Sequence, residues 1–213
     1  MKNKGIMIKR ASIEELESIA QAHCVCFPDS FSTKLGQKRH LLQKLYLEYL
    51  KDNPELFLVA KNEDDDIVGF CMGYYCEKNN YQKAFLKHNF VSIFIRMAFL
   101  LITFNPIAWK KVVSLFKKKK YTYLVDPNIL AFPKEECGDL LSICVLPNHR
   151  GDGTASQLLI EFEKELKNQN RKVCFLTVSN TNSRGIAFYK KNNYVPFRMV
   201  GKTETTFIHF LSE

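Results

Sequence analysis

Apolar and polar positions in the first third of the chain follow two periods. An apolar residue at every second place predicts a strand, and a spacing of three to four predicts a helix. The predicted strands are 6–10, 56–61 and 67–75, and the predicted helices are 12–27 and 35–51. Ser12-x-x-Glu15 has the sequence of a capping box, so we expect the first helix to begin there. An acidic turn joins the second and third strands into a hairpin.

The last third of the chain alternates between the same two patterns. The predicted strands are 139–146, 173–178 and 207–211, and the predicted helices are 154–168 and 182–192. A hairpin followed by alternating strands and helices predicts a mixed α/β sheet with helices on its faces. The length of 213 residues suits one domain, so we expect 1–213 to form a single unit.

The segment 77–124 lies between these parts and differs from both. Phenylalanines recur at helical spacing from Phe85 to Phe104, but other apolar residues cover nearly the whole circumference of this predicted helix. A shorter amphipathic helix is predicted at 109–117. Because an apolar helix must be covered, three hypotheses stay open: a wall of the substrate pocket, a peripheral membrane contact through 85–120, or a homodimer contact.

Charge singles out the same segment. The chain has 31 Lys and Arg against 22 Asp and Glu, and its formal net charge of +9 falls entirely within 77–124. Basic residues would recur along a chain that coats nucleic acid, so no nucleic-acid partner is expected.

The seven cysteines are odd in number and lie mostly in apolar runs, which is typical of reduced thiols. Cys24-x-Cys26 lacks the spacing and the second pair of a zinc site, so no metal is expected. The first residues lack the apolar core of a secretory signal. The apolar run 89–104 is shorter than the roughly 20 residues of a spanning helix. We expect a cytoplasmic protein, with a peripheral position at the inner face of the membrane as the alternative.

The most informative stretch runs from Leu141 to Ala155, where an apolar strand leads through a glycine-containing turn into an amphipathic helix. Gly151 and Gly153 lack a Cβ, so backbone N–H groups can converge on a ligand at positive φ. The helix that begins near Thr154 directs its positive dipole end to the same place. This pattern predicts a pyrophosphate site. Neither a P-loop nor a G-x-G-x-x-G fingerprint is present.

These residues resemble the signature of the GNAT superfamily of N-acetyltransferases, R/Q-x-x-G-x-G/A after a strand ending in V-x-P. Arg150, Gly153 and Ala155 match it, with Val145 and Pro147 upstream. A second block of the family, N-x-x-A-x-x-x-Y, is matched by 182–189, with glycine at the position of the alanine. The resemblance covers about 150 residues. It implies a mixed, mostly antiparallel central sheet of about six to seven strands flanked by helices, here with a helical insertion at 77–124.

The resemblance further implies acetyl transfer from acetyl-CoA to a primary amine by direct attack in a ternary complex. The implied cofactor-binding residues are Ile143, Cys144, Val145, Arg150, Gly151, Asp152, Gly153, Thr154, Ala155, Ser156, Asn182 and Tyr189. Tyr189 would also be catalytic, as the acid that protonates the departing thiolate. A backbone N–H of 143–145 would stabilise the oxyanion.

Two positions depart from the family pattern. Asp152 places an acid in an anion-binding loop, where we expect its side chain to point to water. Thr177 stands twelve residues before Tyr189, where some protein-acetylating relatives have a basic glutamate. The candidate bases elsewhere are Asp139, His23 and His149.

The acceptor stays open at this point. A helical insertion at this place, together with Phe27-Pro28 and Leu35-Gly36, resembles a subgroup linked to surface-polysaccharide biosynthesis, which implies a small-molecule amine such as an amino sugar. The alternatives are a protein or peptide N-acetyltransferase, and a non-catalytic GNAT-like module that binds a membrane or a partner.

Overall fold

The secondary structure follows the predicted order, with two strands added. The computed structural model describes residues 5–30, 33, 40–77, 80–106, 109, 112–113, 120–126 and 132–211. The strands are β1 (Met7–Arg10), β2 (Phe57–Lys61), β3 (Ile67–Tyr75), β4 (Tyr121–Tyr123), β5 (Cys137–Val145), β6 (Val173–Ser179), β7 (Val195–Val200) and β8 (Glu204–Phe210). The helices are α1 (Leu16–Cys26), α2 (His40–Asp52), α3 (Tyr81–Ile102), α4 (Thr154–Asn168) and α5 (Ser183–Lys191).

The strands form one sheet in the order β1-β2-β3-β5-β6-β8-β7-β4. Every neighbouring pair is antiparallel except β5 and β6. The predicted fold class, a mixed and mostly antiparallel α/β sheet with helices on its faces, is therefore confirmed. The sheet has eight strands among the described residues, where the sequence predicted six to seven.

Apolar side chains at alternate strand positions form two main cores, one on each face of the sheet, and a third, smaller cluster contains Cys137, Val173, Phe197 and Ile208. On one face α4 packs through Leu158 and Phe162 against β5 and β6, with Leu140 and Leu176 in the same cluster. On the other face α1 and α2 pack against β2 and β3, and Cys144 is the contribution of β5. Both faces of β5 are thus covered, which explains why it places apolar side chains on both of them: Leu140, Ile143 and Val145 on one and Cys144 on the other.

The largest difference from a predicted helix boundary is at the start of α1. Helix α1 begins at Leu16, because Ser12 to Glu15 form a turn before it. Only one half of the capping box is present: the Ser12 N–H donates to Glu15 Oε2 at 2.8 Å. Strands β4 and β7 were not predicted. The first residues of the second predicted helix, 35–39, lie outside the described part of the chain, as does most of the predicted helix 109–117.

The single parallel pair opens into a gap. β5 and β6 pair only between Cys137–Leu140 and Val173–Leu176. Beyond these residues β5 continues along β3 and β6 continues along β8, so the two strands separate. Leu141 is an extra residue in β5, since Met72 pairs with Ser142 but Gly73 with Leu140. Such a bulge increases the local twist and helps to turn β5 away from β6.

The apolar helix predicted within 77–124 is present as α3, with a kink at Asn89. Its N-terminus is fixed to α2, because the Asp52 carboxylate accepts the N–H groups of Asn80 and Tyr81 at 3.1 and 3.2 Å. Tyr81 packs edge-on against Tyr49, with ring centroids 5.0 Å apart. No helix among the described residues has the length and hydropathy to cross a membrane.

Candidate active site

The backbone of β5 offers hydrogen-bonding groups to the gap. Leu146 N–H donates to Val68 O at 2.8 Å, which fixes the alternation along the antiparallel β3–β5 pair. Ser142 and Cys144 therefore direct their backbone groups to β3, while Ile143 and Val145 direct theirs into the gap. An extended ligand could pair with Ile143 and Val145 as an additional strand does.

The glycine turn lies at the end of β5. Gly151 and Gly153 have φ of +87° and +99°, a region that other residues rarely adopt. Among the described residues, no atom outside the chain neighbours lies within 4 Å of the position where a Cβ would stand on either glycine, so the space above the turn is open. Within the described chain, no protein group accepts the N–H groups of Ala155 and Ser156. The turn thus presents free donors and a helix dipole to one open volume, which suits a pyrophosphate.

Asp152 does not point to water as expected. Its Oδ1 accepts the backbone N–H of Thr154 at 2.9 Å and the Thr154 hydroxyl at 2.7 Å. Burial raises the pKa of Asp152, but these two bonds and the nearby His149 outweigh it, and the net pKa is lowered. The carboxylate therefore caps α4 and uses one of the N–H groups that an anion would otherwise meet. Arg150 holds the other side of the turn, because its Nε donates to Val145 O at 3.1 Å.

The second motif lies on α5, on the face of the sheet that α4 covers. The Asn182 side chain accepts the N–H of Gly185 at 2.9 Å and so caps this helix. Tyr189 packs against the core beneath α4, and its ring lies 5.9 Å from that of Tyr194. Burial raises the pKa of Tyr189. The phenol therefore keeps its proton at neutral pH, as a proton donor must.

Asp139 occupies a different environment, on the opposite face of the sheet at the apex of the gap. It precedes Leu140, the last residue of β5 that pairs with β6. Burial raises the pKa of Asp139 to about 7, although Arg198 and the Tyr74 hydroxyl beside it act in the opposite direction. By its surface accessibility, Asp139 as a whole residue is not fully buried. A carboxyl with this pKa, reachable by a ligand, can accept a proton near neutral pH.

The other two candidate bases are placed less favourably. His23 lies in the core between α1 and α2, where Nδ1 is 2.6 Å from the Tyr46 hydroxyl and burial lowers its pKa to about 4. His149 lies beside the glycine turn, with Nδ1 3.7 Å from Asp152 Oδ2. Thr177 faces Thr206, with the two hydroxyl oxygens 3.0 Å apart. The position of the missing glutamate therefore holds a hydroxyl pair.

Four residues of this region were not predicted from the sequence as site residues. Tyr74, Tyr81 and Arg198 surround Asp139, and the Arg198 guanidinium carbon lies 4.8 Å from the centre of the Tyr121 ring. Cys26 ends α1 with its Sγ 3.5 Å from Val145 O. Its pKa is lowered to about 7, chiefly by Cys144 and then by Arg150. A charged residue within the apolar run 195–200 was the one signal that could have identified Arg198.

A gap between two parallel strands, beside a turn that suits a pyrophosphate, is an arrangement that can bind an acyl-CoA. The model described as the acetyltransferase (GNAT) family matches residues 113–194. The matched residues include both motifs, so this similarity agrees with the resemblance found in the sequence. No curated protein is similar in sequence.

Solved structures with the same fold are numerous but distant in sequence. Ard1 from Thermoplasma volcanium is 16% identical with a TM-score of 0.59, and the alignment covers 98% of this chain and 99% of that one. The PaiA N-acetyltransferase from Thermoplasma acidophilum, solved with coenzyme A, is 16% identical with a TM-score of 0.57 and coverage of 97% and 99%. The putative acetyltransferase YncA from Salmonella typhimurium, solved with acetyl-CoA, is 13% identical with a TM-score of 0.56 and coverage of 98% and 95%.

Proposed function

We propose that the protein transfers an acetyl group from acetyl-CoA to a primary amine of a small molecule, with Asp139 as general base and Tyr189 as general acid. The observation that carries this proposal is the position of Asp139 at the apex of the gap, with Tyr189 on the opposite face of the sheet. Asp139 stands at the apex, among residues of the α1–α2 face. Tyr189 packs on the α4 face. Removal of a proton from the amine and protonation of the departing thiolate would thus take place from opposite faces of the sheet.

The residues present fit the cofactor. Arg150 to Ser156 would hold its pyrophosphate, and the backbone of Ile143 and Val145 would pair with its extended arm. When bound, acetyl-CoA would supply an acetyl group activated as a thioester, with the coenzyme A thiolate as the leaving group. An N–H of Ile143 or Val145 directed into the gap would donate to the acetyl oxygen. Asn182 lies in the loop before α5 and would contact the cofactor arm.

The surroundings of Asp139 support an amine as the acceptor. An ammonium is attracted both to a carboxylate and to the faces of tyrosine rings. Tyr74 and Tyr81 supply such rings, with centroids 6.3 Å apart. Once Asp139 is ionised, it would take the proton that the attacking nitrogen loses. The Nε of Arg198 is buried without a partner among the described residues and could donate to an acceptor oxygen. Hydroxyl-bearing amines, amino sugars first, are therefore the acceptors that we place ahead of peptides.

The direct test is thiol release from acetyl-CoA on a panel of amino sugars, polyamines and peptides. We expect turnover on at least one small amine, with kcat/KM rising to a plateau above about pH 7, where Asp139 is ionised. Turnover confined to peptide N-termini would replace the small-molecule proposal by a peptide N-acetyltransferase. A folded protein that binds acetyl-CoA but acts on no amine would instead support a non-catalytic module.

A further inference from the structure

The outer half of α3 is apolar and exposed. After the kink at Asn89, successive side chains on several sides of the helix are more than half exposed: Phe90, Val91, Phe94, Ile95, Phe99 and Ile102. Phe104, just beyond the helix, is 80% exposed. Patches of this extent are uncommon on a monomer that meets only water. We call the run Phe90–Phe104 the aromatic surface.

The inner half of α3 holds the helix in place. Besides its cap by Asp52, it is tied to α2 by His88 Nδ1, which lies 3.1 Å from Glu48 Oε1. Phe85 is buried. The aromatic surface therefore continues from an anchored base. Tyr81, at that base, lies near Asp139, so the substrate-wall hypothesis accounts for the first turn of α3 but not for its exposed half.

Charge decides between the possible occupants of the aromatic surface. Residues 78–125 contain ten Lys and Arg and no Asp or Glu. Lys83 and Lys87 lie exposed on α3 itself. A second copy of the chain would bring two such segments together, and like charges at an interface are unfavourable. An anionic phospholipid surface offers both apolar depth for phenylalanines and negative charge for lysines.

Length favours a position in the membrane interface. The stretch Phe90–Ile102 is about 20 Å long at 1.5 Å per residue, too short for the hydrocarbon core. Trp109 follows the helix and is 45% exposed. Its indole Nε1–H donates a hydrogen bond to Leu101 O at 3.2 Å. Aromatic side chains with a polar atom are typical of the membrane–water boundary. We propose that the aromatic surface of α3 docks on an anionic phospholipid bilayer without crossing it.

The test is co-sedimentation of the full chain with vesicles of phosphatidylcholine, with and without phosphatidylglycerol. We expect binding to the anionic vesicles, weakened by added salt. The pair Phe90→Ser and Phe94→Ser should reduce the partition coefficient about tenfold or more, because both rings lose apolar contact. Lys83→Gln with Lys87→Gln should also reduce it, by roughly fivefold for each lysine.

Control substitutions on α4 test whether the loss of vesicle binding is specific to α3. Ile160→Ser removes an equally exposed apolar side chain from α4, and Lys164→Gln with Lys167→Gln removes the same charge there. These variants should bind vesicles as the wild type does, and all variants should bind acetyl-CoA as a test of folding. Absence of binding to anionic vesicles would overturn the proposal. So would an equal loss in the α4 controls, or a dimer in analytical ultracentrifugation that the Phe90 and Phe94 changes dissociate.

Discussion

The replacement Asp139→Asn should make the protein more stable and less active. The change keeps the shape of the side chain and removes its charge. In the folded protein burial raises the pKa of Asp139 from 3.8 to about 7. Between these pH values the folded state retains a proton that the unfolded chain has lost. The stability that this proton contributes is complete below about pH 3.8 and is lost as the pH rises through about 7.

The size of the effect follows from the same pKa values. One pH unit corresponds to about 1.36 kcal/mol, so ionisation of Asp139 costs the folded state about 4 kcal/mol at a pH above 7. The Asn variant has no such cost. Its free energy of unfolding, relative to wild type, should increase by about 2 kcal/mol between about pH 5.5 and about pH 8.5. Differences in packing shift both values equally and cancel from this comparison.

Urea unfolding at the two pH values measures the stability change, and thiol release measures activity on the same samples. We expect kcat/KM to fall by about 10², the usual contribution of a general base. Asp66→Asn, at an exposed position in the turn between β2 and β3, serves as the control and should change neither quantity. A stability difference that does not vary with pH would refute the assigned pKa. A rate within about twofold of wild type would remove Asp139 from the mechanism.

Three further substitutions test other parts of the site. Asp152→Asn keeps an acceptor oxygen for Thr154 but removes a negative charge from the anion site. The KM for acetyl-CoA should therefore fall about threefold at low salt, with kcat unchanged. An increase in KM would show that the charge is needed. Tyr189→Phe should lower kcat about 10² with little change in KM, as steady-state kinetics can show; an unchanged kcat would exclude the phenol as the acid. Cys26→Ser should leave kcat within about twofold, because direct transfer needs no acetylated thiol. Trapping of an acetyl group on Cys26 by mass spectrometry would contradict that mechanism.

Strong local sequence patterns predicted most helices and strands, and the two strands that were not predicted, β4 and β7, have weak patterns. Helix α4 was predicted with its bounds, because its amphipathic spacing starts directly after a glycine turn. Strand β7 was missed because Pro196 cannot donate to a ladder and argues against a strand; the structure places it where the pairing with β8 shifts register. Strand β4 has only three residues and follows a run of lysines.

The start of α1 illustrates a second limit. Ser12 and Glu15 have the spacing of a capping box, and one of its two hydrogen bonds does form. The same residues can close a turn ahead of the helix, and the sequence motif does not distinguish the two arrangements. The error was confined to one helical turn.

The cofactor side of the site was predictable because its residues are close in sequence. Arg150 to Ser156 form one turn, and a glycine there has a conformational reason that can be recognised without a structure. The acceptor side depends on contacts between distant strands. Asp139, Tyr74 and Arg198 come from β5, β3 and β7, so neither the burial of Asp139 nor its pKa could be read from local pattern. Cys26 reaches Val145 across 119 positions for the same reason.

Hydrogen exchange of the folded protein with and without acetyl-CoA tests whether this cofactor binds along β5 and at the glycine turn. Ile143 and Val145 direct their N–H groups into the gap, and those of Ala155 and Ser156 have no protein acceptor in the described structure. Acetyl-CoA should therefore slow exchange in the peptides that contain 142–146 and 151–157, while β1 and β2 keep their rates. Binding that protects other segments and leaves these two unchanged would contradict the account, as would no binding at all by a folded chain.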